Sequence, residues 1–285
     1  MGAALLITLR EGLEAALIIS ILLAYLRQLG RMDRAATIWW GAAVATALSL
    51  AVGAVIFALG AEFEGKGEQI FEGLVSLTAV GVLTWMIFWM RRQGSRMRSE
   101  LQDRVDSALV GGGLALGALA FVVVLREGIE TALFVFAAAK ATAVATGGAG
   151  EQLLGAALGL AIAIAIGVLL YRGAVTLNIR AFFKITGALI LIVAAGLFGF
   201  AVHELQEAGW LAFLTAQAFD ISASLPDDSG PGAILRALIG YNADPSVLEM
   251  LAWAGYLIVT GTLYFRPNAV VVAAPVVASD PSRES

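Results

Sequence analysis

The sequence predicts an all-α polytopic membrane protein with seven transmembrane helices, arranged as a 3+3 inverted-topology repeat plus one. The N-terminus is expected outside and the C-terminus in the cytoplasm. Three observations carry this. The 285 residues are 60% hydrophobic and only 14% charged, with a mean hydropathy of +0.87, a balance that soluble domains do not show. Seven apolar runs are each long enough to cross a bilayer. A charged nonapeptide occurs twice inside such runs, as Leu9-Arg10-Glu11-Gly12-Leu13-Glu14-Ala15-Ala16-Leu17 and Leu125-Arg126-Glu127-Gly128-Ile129-Glu130-Thr131-Ala132-Leu133, identical at seven of nine positions.

The runs lie at about 3–26, 36–61, 69–90, 108–139, 153–171, 182–202 and 247–265. Run 1 is expected to be a retained span rather than a signal peptide. No basic segment precedes it, Arg10, Glu11 and Glu14 interrupt it, and no small-x-small cleavage site follows. Runs 2 and 3 are nearly free of charge, apart from Glu72 near the start of run 3. Run 4 carries the second nonapeptide and starts loosely at Val110-Gly111-Gly112-Gly113, which suggests tilt or a short interfacial piece. Runs 5, 6 and 7 complete the set. The single transmembrane domain spans 1–266: repeat 1 at about 1–90, repeat 2 at about 108–202, an outer loop at about 203–246 and helix 7 at about 247–265. The Pro-, Val- and Ala-rich tail 267–285 is expected to be disordered and cytoplasmic.

The loops set the direction. Thirteen basic residues fall on one side: Arg27, Arg31 and Arg34; Arg91, Arg92, Arg96, Arg98 and Arg104; Arg172, Arg180 and Lys184; Arg266 and Arg283. Only Lys66, Lys140 and Arg236 fall on the other. The basic side is cytoplasmic by the positive-inside rule. The Arg cluster 91–104 then faces anionic lipid and requires no other partner. The nonapeptides are 116 residues apart, with three spans beginning at each. Three is odd, so the second half runs opposite to the first, as in many transporters. Phe71-Glu72-Gly73 opening span 3 and Phe183-Lys184 opening span 6 are a weaker echo.

Helix rise matches the depths. Glu11 and Glu14 lie 8 and 11 residues from the outer end of span 1, and Glu130 and Glu127 lie 9 and 12 from that of span 4. At ~1.5 Å per residue both pairs sit about 12–18 Å deep. Within each motif the two Glu share a face, and Arg10 can pair with Glu14 and Arg126 with Glu130. Four carboxylates against two guanidinium groups leave two negative charges in low dielectric, which calls for a cation or protons. Carboxylate oxygens suit hard cations. Gly12 and Gly128 permit close helix approach or local unwinding. The competing reading of these charges is interhelical ion-pair glue, which ordinarily balances its charge.

Other classes are excluded or disfavoured by composition. The chain has no Cys and one His, which rules out disulfides, thiolate metal sites and multi-histidine centres. Neither a nucleotide-binding motif nor a basic-aromatic nucleic-acid surface is present. An intramembrane enzyme would need a nucleophile or His ligands near the motifs.

Arg-Glu-Gly-Leu-Glu in the first span and Arg-Glu-Gly-Ile-Glu in the fourth resemble the paired RExxE signature of the oxidase-dependent iron permeases, the fungal high-affinity iron permeases and their bacterial EfeU-type relatives. Leu83-Thr84-Trp85-Met86-Ile87-Phe88-Trp89-Met90, His203-Glu204-Leu205-Gln206-Glu207 and Gly240-Tyr241-Asn242-Ala243-Asp244-Pro245-Ser246 extend the resemblance over nearly the whole chain before the tail. It implies iron imported across the cytoplasmic membrane as substrate, with Fe(III), which the fungal relatives take, as the first reading and Fe(II) left open by the sequence, and no tightly bound cofactor. It implies Glu11, Glu14, Glu127 and Glu130 as the iron-handling residues, beside Arg10, Arg126, Gly12 and Gly128. It also implies separate extracytoplasmic partners: a multicopper ferroxidase for fungal relatives, an iron-binding protein and a haem peroxidase for bacterial ones. The carboxylate chemistry alone equally admits another hard di- or trivalent cation, and a non-transporting membrane subunit or scaffold is the alternative class.

Two acidic groups are candidates for an outer site at the pore mouth. Glu64, Glu68 and Glu72 are four apart and form one stripe if helical, competing with a solvated helix N-terminus where acids are favoured. His203, Glu204 and Glu207 can reach one ion, or can anchor the end of span 6. Asp220, Asp227 and Asp228 read as solvated loop acids, and Trp39, Trp40, Trp85 and Trp89 as interfacial or packing aromatics.

Overall fold

A computed structural model describes residues 2–93, 105, 107, 113–141, 149–173 and 178–266. The expected disordered tail, the loose start of span 4 at 108–112 and most of the Arg cluster 91–104 lie outside them. Apolar runs without interior Pro fold as helices: α1 (Gly2–Gln28), α2 (Ala35–Glu62), α3 (Lys66–Gln93), α4 (Gly113–Ala141), α5 (Ala149–Tyr171), α6 (Ile179–Glu207), a short α7 (Gly230–Ile239) and α8 (Val247–Phe265). Among the described residues there is no strand, only an isolated bridge between Gln217 and Ser246.

Local chemistry ends the helices. Gly30 adopts φ +67° after α1, and the amides of Arg31 and Gly30 return to Leu26 O and Arg27 O, closing the orphaned carbonyls. Gly209 does the same for α6, at φ +83°. Asn178 Oδ1 caps α6 by accepting from the Ala181 amide, and Ser246 Oγ caps α8 by accepting from that of Glu249.

Helices α2, α3, α5, α6 and α8 are long and apolar enough to cross a membrane. Helices α1 and α4 have the length, with 27 and 29 residues, but each of their possible membrane-length stretches contains three or more ionisable residues, because the RExxE motifs sit inside them. The molecule is therefore a polytopic helical membrane protein. Its periphery is apolar: Trp40 and Leu50 on α2 and Leu154 and Ile164 on α5 are exposed, as suits lipid contact.

Helices adjacent in sequence are not the main partners. Helix α1 packs on α5, α2 on α4, α3 on α6, α1 on α4, and α8 on α6. Exchanging α1–α2–α3 with α4–α5–α6 leaves the first four of these pairings unchanged. The correspondence holds at residue level. Gly12 abuts Ala163 and Gly167 abuts Ala16; Gly128 abuts Ser49 and Gly53 abuts Ala132. Both pairs of helices run parallel, with small residues every fourth position letting the backbones approach. Contacts of Phe136 with Phe71 and of Lys140 with Glu68, and of Gln69 with Glu207, make α3 antiparallel to α4 and α6.

Two features differ from the sequence reading. Helix α6 runs on to Glu207, so His203, Glu204 and Glu207 are helical rather than the start of the outer loop. The segment after it contains α7, whose apolar run is too short to stand out as a span.

Candidate metal centre

Helices α1 and α4 pack on each other and bring the two motifs together. Arg10, Glu11, Glu14, Glu127 and Glu130 are all buried. Arg10 Nη1 lies 3.4 Å from Glu11 Oε1, and its Nε 3.3 Å from Glu14 Oε1. Arg126 repeats the pattern, with Nη2 2.6 Å from Glu127 Oε1 and Nε 3.4 Å from Glu130 Oε1. Oxygens of Glu11, Glu14 and Glu127 lie within 4.8 Å of one another, a spacing that one metal ion can bridge. Glu130 is not in that triplet.

The ion pairs leave acceptors over. Glu11 Oε2, Glu127 Oε2 and Glu130 Oε2 are buried without a hydrogen-bond partner. Unsatisfied carboxylate oxygens in low dielectric are costly, and a hard cation is what such a donor set would take. Gly12 and Gly128 face away from the carboxylates, onto α5 and α2. Both helices continue unbroken through the motifs, so the glycines serve close approach and the backbone offers no freed carbonyls there.

Helix α3 supplies two contacts that the motif spacing does not show. Arg10 Nη2 donates to Met90 Sδ, and the Arg126 guanidinium sits 5.2 Å from the centroid of the Trp89 ring. Trp89 thus touches the motif rather than only packing. Its periodic position among aromatics gave no hint of that.

The outer candidates divide. Glu64 is exposed in the turn between α2 and α3, off the helix that carries Glu68 and Glu72. Lys140 of α4 joins the latter two, its Nζ 3.0 Å from Glu68 Oε1 and 2.5 Å from Glu72 Oε1. His203 Nδ1 lies 2.9 Å from Glu249 Oε1, its Nε2 3.4 Å from Glu207 Oε1, and Asn242 Nδ2 donates to Glu249 Oε2. Glu207 also accepts from Gln69 Nε2. Glu204 is half-buried one residue from His203. The sequence places Lys140 on the outer side only as a loop charge and does not single out Glu249, so neither stands among the expected site residues. Glu249 has the spacing of a helix-capping Glu after Ser246, which hides its contact with His203.

Asp227 is no free loop acid: it pairs with Arg236, whose Nε also donates to Ala141 O. Asp220 accepts from the hydroxyl and amide of Ser222, which hold its carboxyl below the ordinary range. A cavity of about 500 Å³ between α6, α8 and the segment before α8 is lined by His203, Arg236, Tyr241 and Trp253, apart from the motif carboxylates.

Fold and centre together define a multi-pass membrane protein with a buried acidic cluster where its two halves meet. Residues 1–279 match the Iron permease FTR1 family, and the chain belongs to it. It is 43% identical over 256 residues to the ferrous iron permease EfeU of Escherichia coli O157:H7, covering 89% of this chain and 91% of that protein. The ferrous iron permease EfeU of Shigella sonnei (strain Ss046) matches over the same shares at the same identity. The ferrous iron permease EfeU of Yersinia pestis is 38% identical over 277 residues, covering 96% of each chain. No solved structure matches. The protein is a multi-pass plasma-membrane protein of an iron-transporting family.

Proposed function

We propose that this chain imports iron across the cytoplasmic membrane through a carboxylate cage formed by Glu11 and Glu14 of one RExxE motif and Glu127 and Glu130 of the other. The observation that carries the reading is the approach of three buried carboxylates, from both halves, to within 4.8 Å. Arg10 and Arg126 hold the cage while it is empty. Each is bound to two Glu, so an arriving cation competes with a guanidinium for the same oxygens, and the guanidinium re-pairs when the cation leaves. The membrane potential is a sufficient driving force, at ~2.3 kcal/mol per charge per 100 mV. Seven spans with the N-terminus outside and inverted halves are supported by the parallel α1–α5 and α2–α4 pairs and by the distribution of basic loops.

The all-oxygen donor set favours Fe(III), the harder ion. A second reading, Fe(II), is favoured by the names of the relatives, which are ferrous iron permeases. In either case the iron is delivered by separate extracytoplasmic proteins, an iron-binding protein and an oxidase or peroxidase, as the family resemblance implies.

The test is uptake of radioactive iron into proteoliposomes under oxidising and reducing conditions. Wild type is compared with Glu11→Gln, Glu14→Gln, Glu127→Gln and Glu130→Gln. We expect uptake to fall at least about a hundredfold in Glu11→Gln, Glu14→Gln and Glu127→Gln, which removes ~2.7 kcal/mol or more of ion stabilisation. Glu130→Gln, outside the triplet, is expected to lose less. Uptake unchanged in all four folded variants would move the path elsewhere.

A further inference from the structure

We propose that the Lys140 ammonium is a tethered stand-in cation: it occupies an outer carboxylate site made by Glu68 and Glu72, and a multivalent cation must displace it on the way to the central cage. The inference rests on the reading that cations pass through that cage.

The geometry is that of an occupied site. Lys140 Nζ bridges Glu68 and Glu72, at 3.0 and 2.5 Å. The two Glu and Ser76 are four apart on α3 and so share one face. Along that face side chains become less exposed: 40% for Glu68, 8% for Glu72 and 1% for Ser76. The Ser76 hydroxyl is buried with no hydrogen-bond partner, one turn deeper than Glu72. A polar, oxygen-bearing stripe therefore leads inward from the helix end and stops at an unused oxygen. Glu204 of α6 adds a third carboxylate within electrostatic reach of Glu68 and Glu72.

Beyond Ser76 the way is closed. Ala79 and Leu83 of α3, Phe134 and Ala137 of α4 and Ile7 of α1 pack in one buried cluster. The outer site and the cage are thus two stations on α4, separated by an apolar plug.

Charge explains why lysine suits this place. A univalent ion gains no more from two carboxylates than the ammonium it replaces, and it competes with a group tethered at high effective concentration. A di- or trivalent ion gains two or three times the Coulomb attraction. The compact ammonium on its flexible stem can swing aside, which a bidentate Arg would do less readily. Lys140 is in this way a specificity-determining residue rather than a brace between α3 and α4.

The first experiment uses wild-type protein. The chain has three lysines, Lys66, Lys140 and Lys184, so amine labelling with a water-soluble succinimidyl ester is read site by site by mass spectrometry. Mn2+ is expected to raise labelling of Lys140 about tenfold over sodium at equal ionic strength, through competition for its carboxylates, and to leave exposed Lys66 unchanged. The second counts bound Mn2+ by electron paramagnetic resonance. At a lower Mn2+ concentration, too low to displace Lys140 from Glu68 and Glu72, Lys140→Gln and Lys140→Met are expected to gain one ion over wild type, Lys140→Arg none, and Lys140→Gln/Glu72→Gln to lose the gain. Unchanged Lys140 labelling, or no extra ion in folded Lys140→Gln or Lys140→Met, would reduce Lys140 to a helix brace and overturn the proposal. Neither readout uses transport. Failure of wild type to move iron would therefore count against the cage and leave these outcomes standing.

Discussion

Arg10 and Arg126 occupy the same place in two copies of one motif, yet their surroundings differ. Arg10 is 1% exposed, held by Glu11, Glu14 and Met90. Arg126 is 38% exposed and rests on Trp89. Removing either arginine strands two buried carboxylates, at about 3–5 kcal/mol; beside the half-open Arg126 water can take the place of the guanidinium and discounts that cost, whereas around Arg10 the partners and the guanidinium are all buried. Arg10→Met should therefore lower the melting temperature in detergent well beyond Arg126→Met. Equal shifts would mean that both arginines feel the same dielectric. The i, i+4 partners of the two arginines were legible in the sequence, because helical spacing alone brings them together. Met90, Trp89 and Lys140 were not, since each meets its partner across helices whose mutual rotation no periodicity encodes.

At the scale of elements, the packing of α1 on α4 depends on two parallel helix pairs joined through small residues. A Cβ on Gly128 would collide with Ser49 Oγ, and one on Gly12 would stand 2.8 Å from Ala163 Cβ. Overpacking of this kind costs about 1–3 kcal/mol. Gly128→Ala should accordingly destabilise the protein by that amount. Ser49→Gly in the same chain should restore most of it, a coupling that a double-mutant cycle on thermal unfolding reads directly. Additive effects would mean that α2 and α4 are not in contact there. Long helices were legible from apolar runs, with ends close to those observed. The α1–α5 and α2–α4 partnerships were not, because they join helices distant in sequence. The helical end of α6 was hidden by its charges. His203 and Glu207 look like loop residues until Glu249 and Gln69 are seen to hold them.

For the whole molecule, the contacts divide the helix ends into two faces. Parallel α1 and α5 end together, and the turn at 29–34 sends α2 back beside α4. One face thus carries Arg31 and Arg172. The other carries the α2–α3 turn with Glu64, the α4 end with Lys140 and the segment around Ala223, which α7 ties to α4 and α1 through Arg236 and Leu238. The repeated motif and the count of three spans per half already implied this division, but apolar runs say nothing of which helices touch. Basic residues concentrate on the first face, which should therefore be cytoplasmic. The chain has no cysteine, so any introduced thiol is unique. A membrane-impermeant maleimide should label Glu64→Cys and Ala223→Cys in intact cells or spheroplasts, and Arg31→Cys and Arg172→Cys only after permeabilisation. The reverse pattern would invert the orientation and turn the import path into an export path. Labelling of Glu64→Cys and Arg31→Cys from the same side would break the inversion itself, and with it the meeting of Glu11, Glu14 and Glu127 at one depth.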